Sequence, residues 1–136
     1  MSECVFCSIV RGDAPSHPVC EDEFTLAFMD RFPLAPGHVL VIPKQHASNI
    51  FEIDPESLAA VSRITQQLAH GIRKAFDPDG VMVMQLNGAA AGQTVFHYHA
   101  HLIPRDQGSS LTLQPRVEAQ DHALAGWASR LQAALD

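Results

Sequence analysis

The chain has 136 residues, 46% of them hydrophobic and 18% charged, with a formal charge of -6. That length and balance fit one domain over residues 1–136 with a real core, and an acidic chain without a basic run argues against binding a nucleic-acid backbone. No apolar run approaches the roughly 18 residues of a membrane span, Met1-Ser2-Glu3-Cys4 does not open a secretory signal, and three cysteines suit a reducing compartment, so a cytoplasmic protein with no membrane and no nucleic-acid partner is expected.

Cys4-Val5-Phe6-Cys7 comes first. A C-x-x-C pair points to metal or redox chemistry, and zinc would need two further ligands. The alternative is two buried cysteines on a helical turn, with Phe6, Ile9 and Val10 as core. Val19 to Glu21 and Thr25 to Met29 read as short strands. Arg31 to Gly37 holds two prolines and reads as a loop, followed by a strand from His38 that Pro43 ends. Asp54-Pro55-Glu56 is a helix start, with Asp as N-cap and Pro at the first helical position. Leu58, Val61, Ile64, Leu68 and Ile72 then recur at helical spacing, and Asp77-Pro78-Asp79-Gly80 stops the helix. Val81 to Leu86 is the next strand. Asn87 to Thr94 is a small-residue loop that leads into a strand placed antiparallel to it. Arg105 to Arg116 is polar and loop-like. A C-terminal helical extension covers about residues 117–136, with Leu124, Trp127, Leu131 and Leu135 as its stripe. The pattern is α+β: a mostly antiparallel sheet with one long helix on a face.

Val95 to Pro104 carries the chemistry. His97, His99 and His101 alternate with Tyr98, Ala100 and Leu102. Period two predicts a strand with three imidazoles on one face, and with Phe96, Tyr98, Ala100 and Leu102 turned to a core. Imidazole serves as nucleophile, proton carrier or metal ligand near neutral pH. In the preceding loop, Gly88 and Gly92 expose backbone N–H groups and Gln93 and Thr94 add donors, a combination suited to phosphate.

His97-Tyr98-His99-Ala100-His101-Leu102-Ile103 resembles the signature of the histidine triad superfamily of nucleotide hydrolases and transferases. The likeness extends over Cys4 to Gly12, over Leu26 to Asp30, over Ala35 to Pro43 and over the loop Ala91 to His97. It implies a five-stranded sheet with one long helix and a C-terminal helix, joined across a homodimer into a ten-stranded sheet. His99 matches the nucleophile, which attacks the α-phosphorus of a purine nucleotide or nucleotidyl conjugate. His101 and His38 match the histidines that complete the site. Gln93, Thr94 and Val95 match the phosphate loop. Phe6, Ile9 and Phe28 match the apolar base pocket, and Asp30 the carboxylate that accepts from ribose hydroxyls. Cys4, Cys7, His46 and His97 occupy the places of a structural zinc site. Transferase members carry Gln where this chain has His101, which favours the hydrolases.

One position departs from the pattern. Leu86 stands where well-studied members carry Asn or Gln near the scissile phosphate. The resulting expectation is a purine nucleoside phosphoramidase or related nucleotidyl hydrolase. Its rivals are a Fhit-like dinucleoside polyphosphate hydrolase, a metallohydrolase that uses the histidines as zinc ligands, and a nucleotide-binding module without turnover.

Overall fold

The computed structural model describes residues 4–109 and 116–135. Its elements are α1 (Val5–Arg11), β1 (Pro18–Glu21), β2 (Thr25–Met29), β3 (Val39–Pro43), α2 (Pro55–Phe76), β4 (Gly80–Gln85), a single 3-10 turn (Ala89–Ala91), β5 (Ala100–Arg105) and α3 (Asp121–Leu135). The five strands form one sheet in the order β1-β2-β3-β5-β4, with every neighbouring pair antiparallel. The α+β class, the five-stranded sheet and both helices match the reading of the sequence. Among the described residues no helix is long and apolar enough to cross a membrane.

Local chemistry sets the helix ends. The Asp54 carboxylate accepts from the Glu56 N–H at 3.1 Å, which satisfies one of the orphan donors of the first turn of α2. Asp77 closes the same helix in the left-handed conformation and donates its N–H to the Arg73 carbonyl.

Strand alternation sorts the side chains into two layers. Ala27, Met29, Val39, Val41, Ala100 and Leu102 face α2 and α3, where Val61, Leu68, Ile72, Leu124 and Leu131 cover them. Leu26, Phe28, Leu40 and Ile42 face the other way and are covered by Phe6 of α1. By the same period of two, Asp30 follows Phe28 and His38 precedes Leu40 on this second face. His101 pairs with Leu40 on one side and Met84 on the other, which places it there too.

The histidine run is not one continuous strand. β5 begins at Ala100, so of the three imidazoles only His101 lies on it, and His97 and His99 belong to the irregular approach. The cause lies across the ladder. Val41 pairs with Ala100, and two residues farther along the same register Pro43 would face Tyr98. Proline has no N–H to donate, so the ladder stops. Tyr98 instead donates its N–H to the Ala47 carbonyl at 2.7 Å. The chain bends, Tyr98 still reaches the helix-side core, and Phe96 is 47% exposed rather than packed on it.

A buried imidazole cluster beside a small cleft

Three imidazoles gather on the face opposite the long helix. His38, His99 and His101 are buried together, with His99 and His101 ring centres 4.9 Å apart. Their partners fix which nitrogen carries each proton. The Leu34 N–H donates to His38 Nδ1 at 2.9 Å, so that nitrogen is bare and His38 Nε2 holds the hydrogen. His38 Nε2 lies 2.9 Å from His101 Nδ1 and donates to it. The proton of His101 therefore sits on Nε2. His99 Nδ1 lies 2.7 Å from the His97 carbonyl and donates to it, which leaves His99 Nε2 with a free lone pair. The edge-to-face contact of Phe6, 5.2 Å from the His99 ring, keeps water from one side.

Burial keeps these groups neutral. It pushes His38 down to about 2, with His101 and Arg116 adding to the effect. Burial also takes His101 down to about 3, helped by His99 and Arg116. His99 is lowered by burial as well, against the His97 carbonyl and Asp30, which pull the other way. The 3.3 Å approach of His38 Nε2 to Asp30 is accordingly a contact of a neutral N–H with a carboxylate. Burial raises the Asp30 carboxyl, and the Arg116 guanidinium beside it opposes that rise. Arg116 donates from Nη2 to Asp30 and from Nε to the Phe32 carbonyl at 2.7 Å.

The imidazoles open on a cleft of about 200 Å³. His99 and His101 form part of its wall, with Asp30, Arg116, Gly92 and Thr94 as the other polar neighbours, and Leu34, Leu40, Met84 and Leu86 as its apolar lining. Gly88 and Gly92, at φ 94 and 99, hold the loop in conformations that side chains rarely adopt, but their N–H groups are not exposed as expected: Gln93 Oε1 and the Ala89 carbonyl accept them. Gln93 organises that loop from inside. Its Oε1 accepts from the Gly88 N–H at 2.7 Å, and its Nε2 donates to the Ser48 and Val95 carbonyls at 2.6 and 3.0 Å.

The predicted site residues thus divide. His99, His101, Asp30 and Thr94 meet at the cleft, and His38 backs His101 from behind. Gln93 spends its amide on the loop, and Val95 borders a separate shallow groove beside Cys4 and His46. Phe6 and Phe28 stack edge to face at 5.4 Å within the core, and Ile9 and Phe28 line a different cavity of about 50 Å³. Asp30 also accepts from the Phe32 N–H at 2.9 Å and so caps the turn that follows it. Arg116 was not anticipated. Its polar surroundings in the sequence carry no signal, and only the fold brings it to the cleft.

Behind His99 lies a second cluster. Cys4 Sγ is 3.3 Å from His97 Nδ1, Cys7 Sγ is 3.3 Å from His46 Nδ1, and the two Nδ1 atoms are 3.2 Å apart. All four ligand atoms lie within 4.8 Å of one another. A tetrahedral zinc with thiolate and imidazole ligands sets such atoms about 3.3–3.8 Å apart, so the residues fit it. His97 Nε2 donates to the Pro43 carbonyl at 2.8 Å, which leaves Nδ1 bare for a metal.

The chain resembles known proteins over most of its length. The HIT domain family matches residues 11–108. The chain is 41% identical over 102 residues to an adenosine 5'-monophosphoramidase of Schizosaccharomyces pombe, covering 75% of this chain and 74% of that protein. It is 37% identical over 130 residues to an adenylylsulfatase of Arabidopsis thaliana, covering 96% of this chain and 66% of that protein. A crystal structure of a zinc-bound histidine triad family protein from Mycobacterium smegmatis superposes with a TM-score of 0.87 at 38% identity, over 97% of this chain and 92% of that one.

The neutral histidines have a measurable cost. In the unfolded chain His38 and His101 take up protons near pH 6.5, while in the fold they resist to about 2 and about 3. Below about pH 6.5 the unfolded state therefore binds more protons, and stability falls as pH drops. Urea denaturation between pH 7.5 and 5 should show this loss, with a slope approaching about 1.4 kcal/mol per pH unit for each group once the unfolded form is fully protonated. The His38→Gln variant should show a shallower slope; an unchanged slope would mean that His38 is not held neutral.

Proposed function

The chain belongs to the HIT domain family, and on that premise we propose that it is a nucleotidyl hydrolase acting at the α-phosphate of purine nucleoside phosphoramidates or related conjugates. The observation that carries the reading is the bond from His99 Nδ1 to the His97 carbonyl, which directs the free lone pair to Nε2. In the first step Nε2 bonds to the α-phosphorus as the bond to the leaving group breaks. The leaving group departs with the electron pair, and an amine takes its proton from solvent. The Nδ1–H stays on the His97 carbonyl and spreads the positive charge of the nucleotidyl-histidine. In the second step water attacks phosphorus, a proton goes to solvent, the nucleoside monophosphate leaves and neutral His99 returns. His101 Nε2–H, held in that tautomer by His38, and the donors of Thr94 stabilise the phosphoryl oxygens. Asp30 and the apolar walls receive the nucleoside.

The names of two relatives, one a phosphoramidase and one an adenylylsulfatase, support nucleotidyl conjugates as the substrate class. A dinucleoside polyphosphate hydrolase remains the alternative with the same first step and a larger leaving group. Zinc held by Cys4, Cys7, His46 and His97 would act as a structural cross-link, fastening the N-terminus to the nucleophile's neighbour. The homodimer reading rests on β4. This edge strand leaves Val83 52% exposed, and pairing with the same edge of a second copy would make a sheet of ten strands.

Three measurements bear on this. Rapid quench with a labelled adenosine phosphoramidate should trap a nucleotidyl-protein adduct in the intact protein and none in His99→Ala; an adduct that persists in the variant removes His99 as nucleophile. Metal analysis should find about one zinc per chain, lost in Cys4→Ser and Cys7→Ser, and full retention in Cys4→Ser would exclude that ligand. Sedimentation equilibrium should give the mass of two chains, and the mass of one would refute the paired edge.

A further inference from the structure

We propose that Arg116 is the specificity-determining residue of this cleft and favours nucleotidyl conjugates whose leaving group is itself an anion, such as a sulfate or phosphate, over those that release a neutral amine. This inference rests on the hydrolase reading and narrows its substrate class.

Among the described residues that line the cleft, Arg116 is the one lysine or arginine. A phosphoramidate brings one negative charge to the reacting phosphate. His101 Nε2–H and the donors of Thr94 can meet that charge. A conjugate with an anionic leaving group brings a second charge, and Leu86 on the cleft wall has nothing to donate to it.

Arg116 has what Leu86 lacks. A guanidinium carries five N–H donors in a planar fork. One goes to the Phe32 carbonyl and one to Asp30, and the other three have no acceptor among the described residues. The side chain is 20% exposed where it borders the cleft, so these donors remain within reach of a ligand. Asp30 Oδ2, which Arg116 holds, is 3.3 Å from His38 Nε2 and 3.9 Å from His101 Nδ1. The guanidinium thus meets the Nδ1 edge of His101 through Asp30, and it lines the same cleft as His99 and His101.

Its position is built rather than incidental. The Ala119 N–H donates to the Arg31 carbonyl at 2.8 Å, and Arg31 pairs with Glu118 at 3.6 Å. Farther along, Asp121 pairs with His17 at 3.1 Å at the start of α3. These contacts hold residues 116–121 along the turn after β2. Arg116 itself lies beyond residues 11–108, which the family pattern matches.

The test uses two adenylyl probes that differ in the leaving group: adenosine 5'-phosphoramidate, which releases neutral ammonia, and adenylyl sulfate, which releases sulfate. The quantity read is the ratio of kcat/KM for the sulfate to that for the phosphoramidate. Arg116→Gln should lower this ratio at least tenfold, and Arg116→Lys should recover part of it. An unchanged ratio, even with both rates reduced, would mean that Arg116 acts only by fastening Asp30, and would overturn the proposal. Equilibrium binding of the same probes in a His99→Ala background gives an answer independent of turnover. There the Arg116→Gln change should weaken adenylyl sulfate at least tenfold more than the phosphoramidate, and equal weakening would again overturn it. If neither probe is hydrolysed by the intact protein while the binding difference holds, the hydrolase reading fails and the anion specificity of Arg116 stands.

Discussion

His97 joins three parts of the molecule that would otherwise be independent. Its ring Nε2 donates to the Pro43 carbonyl at the end of β3, and its Nδ1 faces Cys4 and Cys7 of the N-terminal turn. Its own carbonyl accepts the proton of His99 Nδ1. The first contact fixes the ring, the second suits a metal only because the first has placed the hydrogen on Nε2, and the third sets the tautomer of the neighbouring imidazole. A displaced His97 would release the cluster at the N-terminus and free His99 to take the other tautomer.

The same logic of directed protons runs through the second chain of contacts. Leu34 N–H, His38 and His101 form a line in which each N–H is directed at the next ring, so the last hydrogen can point only from His101 Nε2. Such a line holds only while both rings stay neutral, because a protonated His38 would need to donate where Leu34 already does. Burial supplies that neutrality, and burial is a property of the sheet and α1 rather than of the histidines. Packing that looks merely structural, Phe6 against Phe28 and His99, is therefore part of the site's electrostatics.

Much of this was legible in the sequence because its signals are local. Asp54-Pro55 marks a helix start wherever it occurs, and the alternation of Ala100, His101 and Leu102 is enough to assign faces. The start of β5 was not legible, because its limit is set by Pro43, more than fifty residues earlier and opposite in the ladder. Gln93 shows a different gap. Its residue type suits a phosphate loop, but three backbone groups within reach decide where its amide turns, and those come from Ser48, Gly88 and Val95. The apolar residues expected around a base, Phe6 and Phe28, were recognisable as apolar and as neighbours. Whether an aromatic ring borders a ligand or a core depends on what lies behind it, which no local pattern records.

Leu86 and Arg116 extend that point to function. Read along the chain, Leu86 is a missing donor, and the natural inference is a weakened site. In the fold, Leu86 lies against Gly92, whose added Cβ would meet Leu86 Cδ1 at 3.3 Å, so its side chain braces the loop that borders the cleft. A polar residue there would add a donor but lose that apolar contact. The donor capacity returns from thirty residues farther on, through a guanidinium held by Asp30 and Phe32. A charged donor in place of a neutral amide changes which ligands the cleft can balance, because a guanidinium compensates a net charge and an amide does not. Leu86 and Arg116 together set the electrostatics of the cleft, one as apolar wall and the other as its cation.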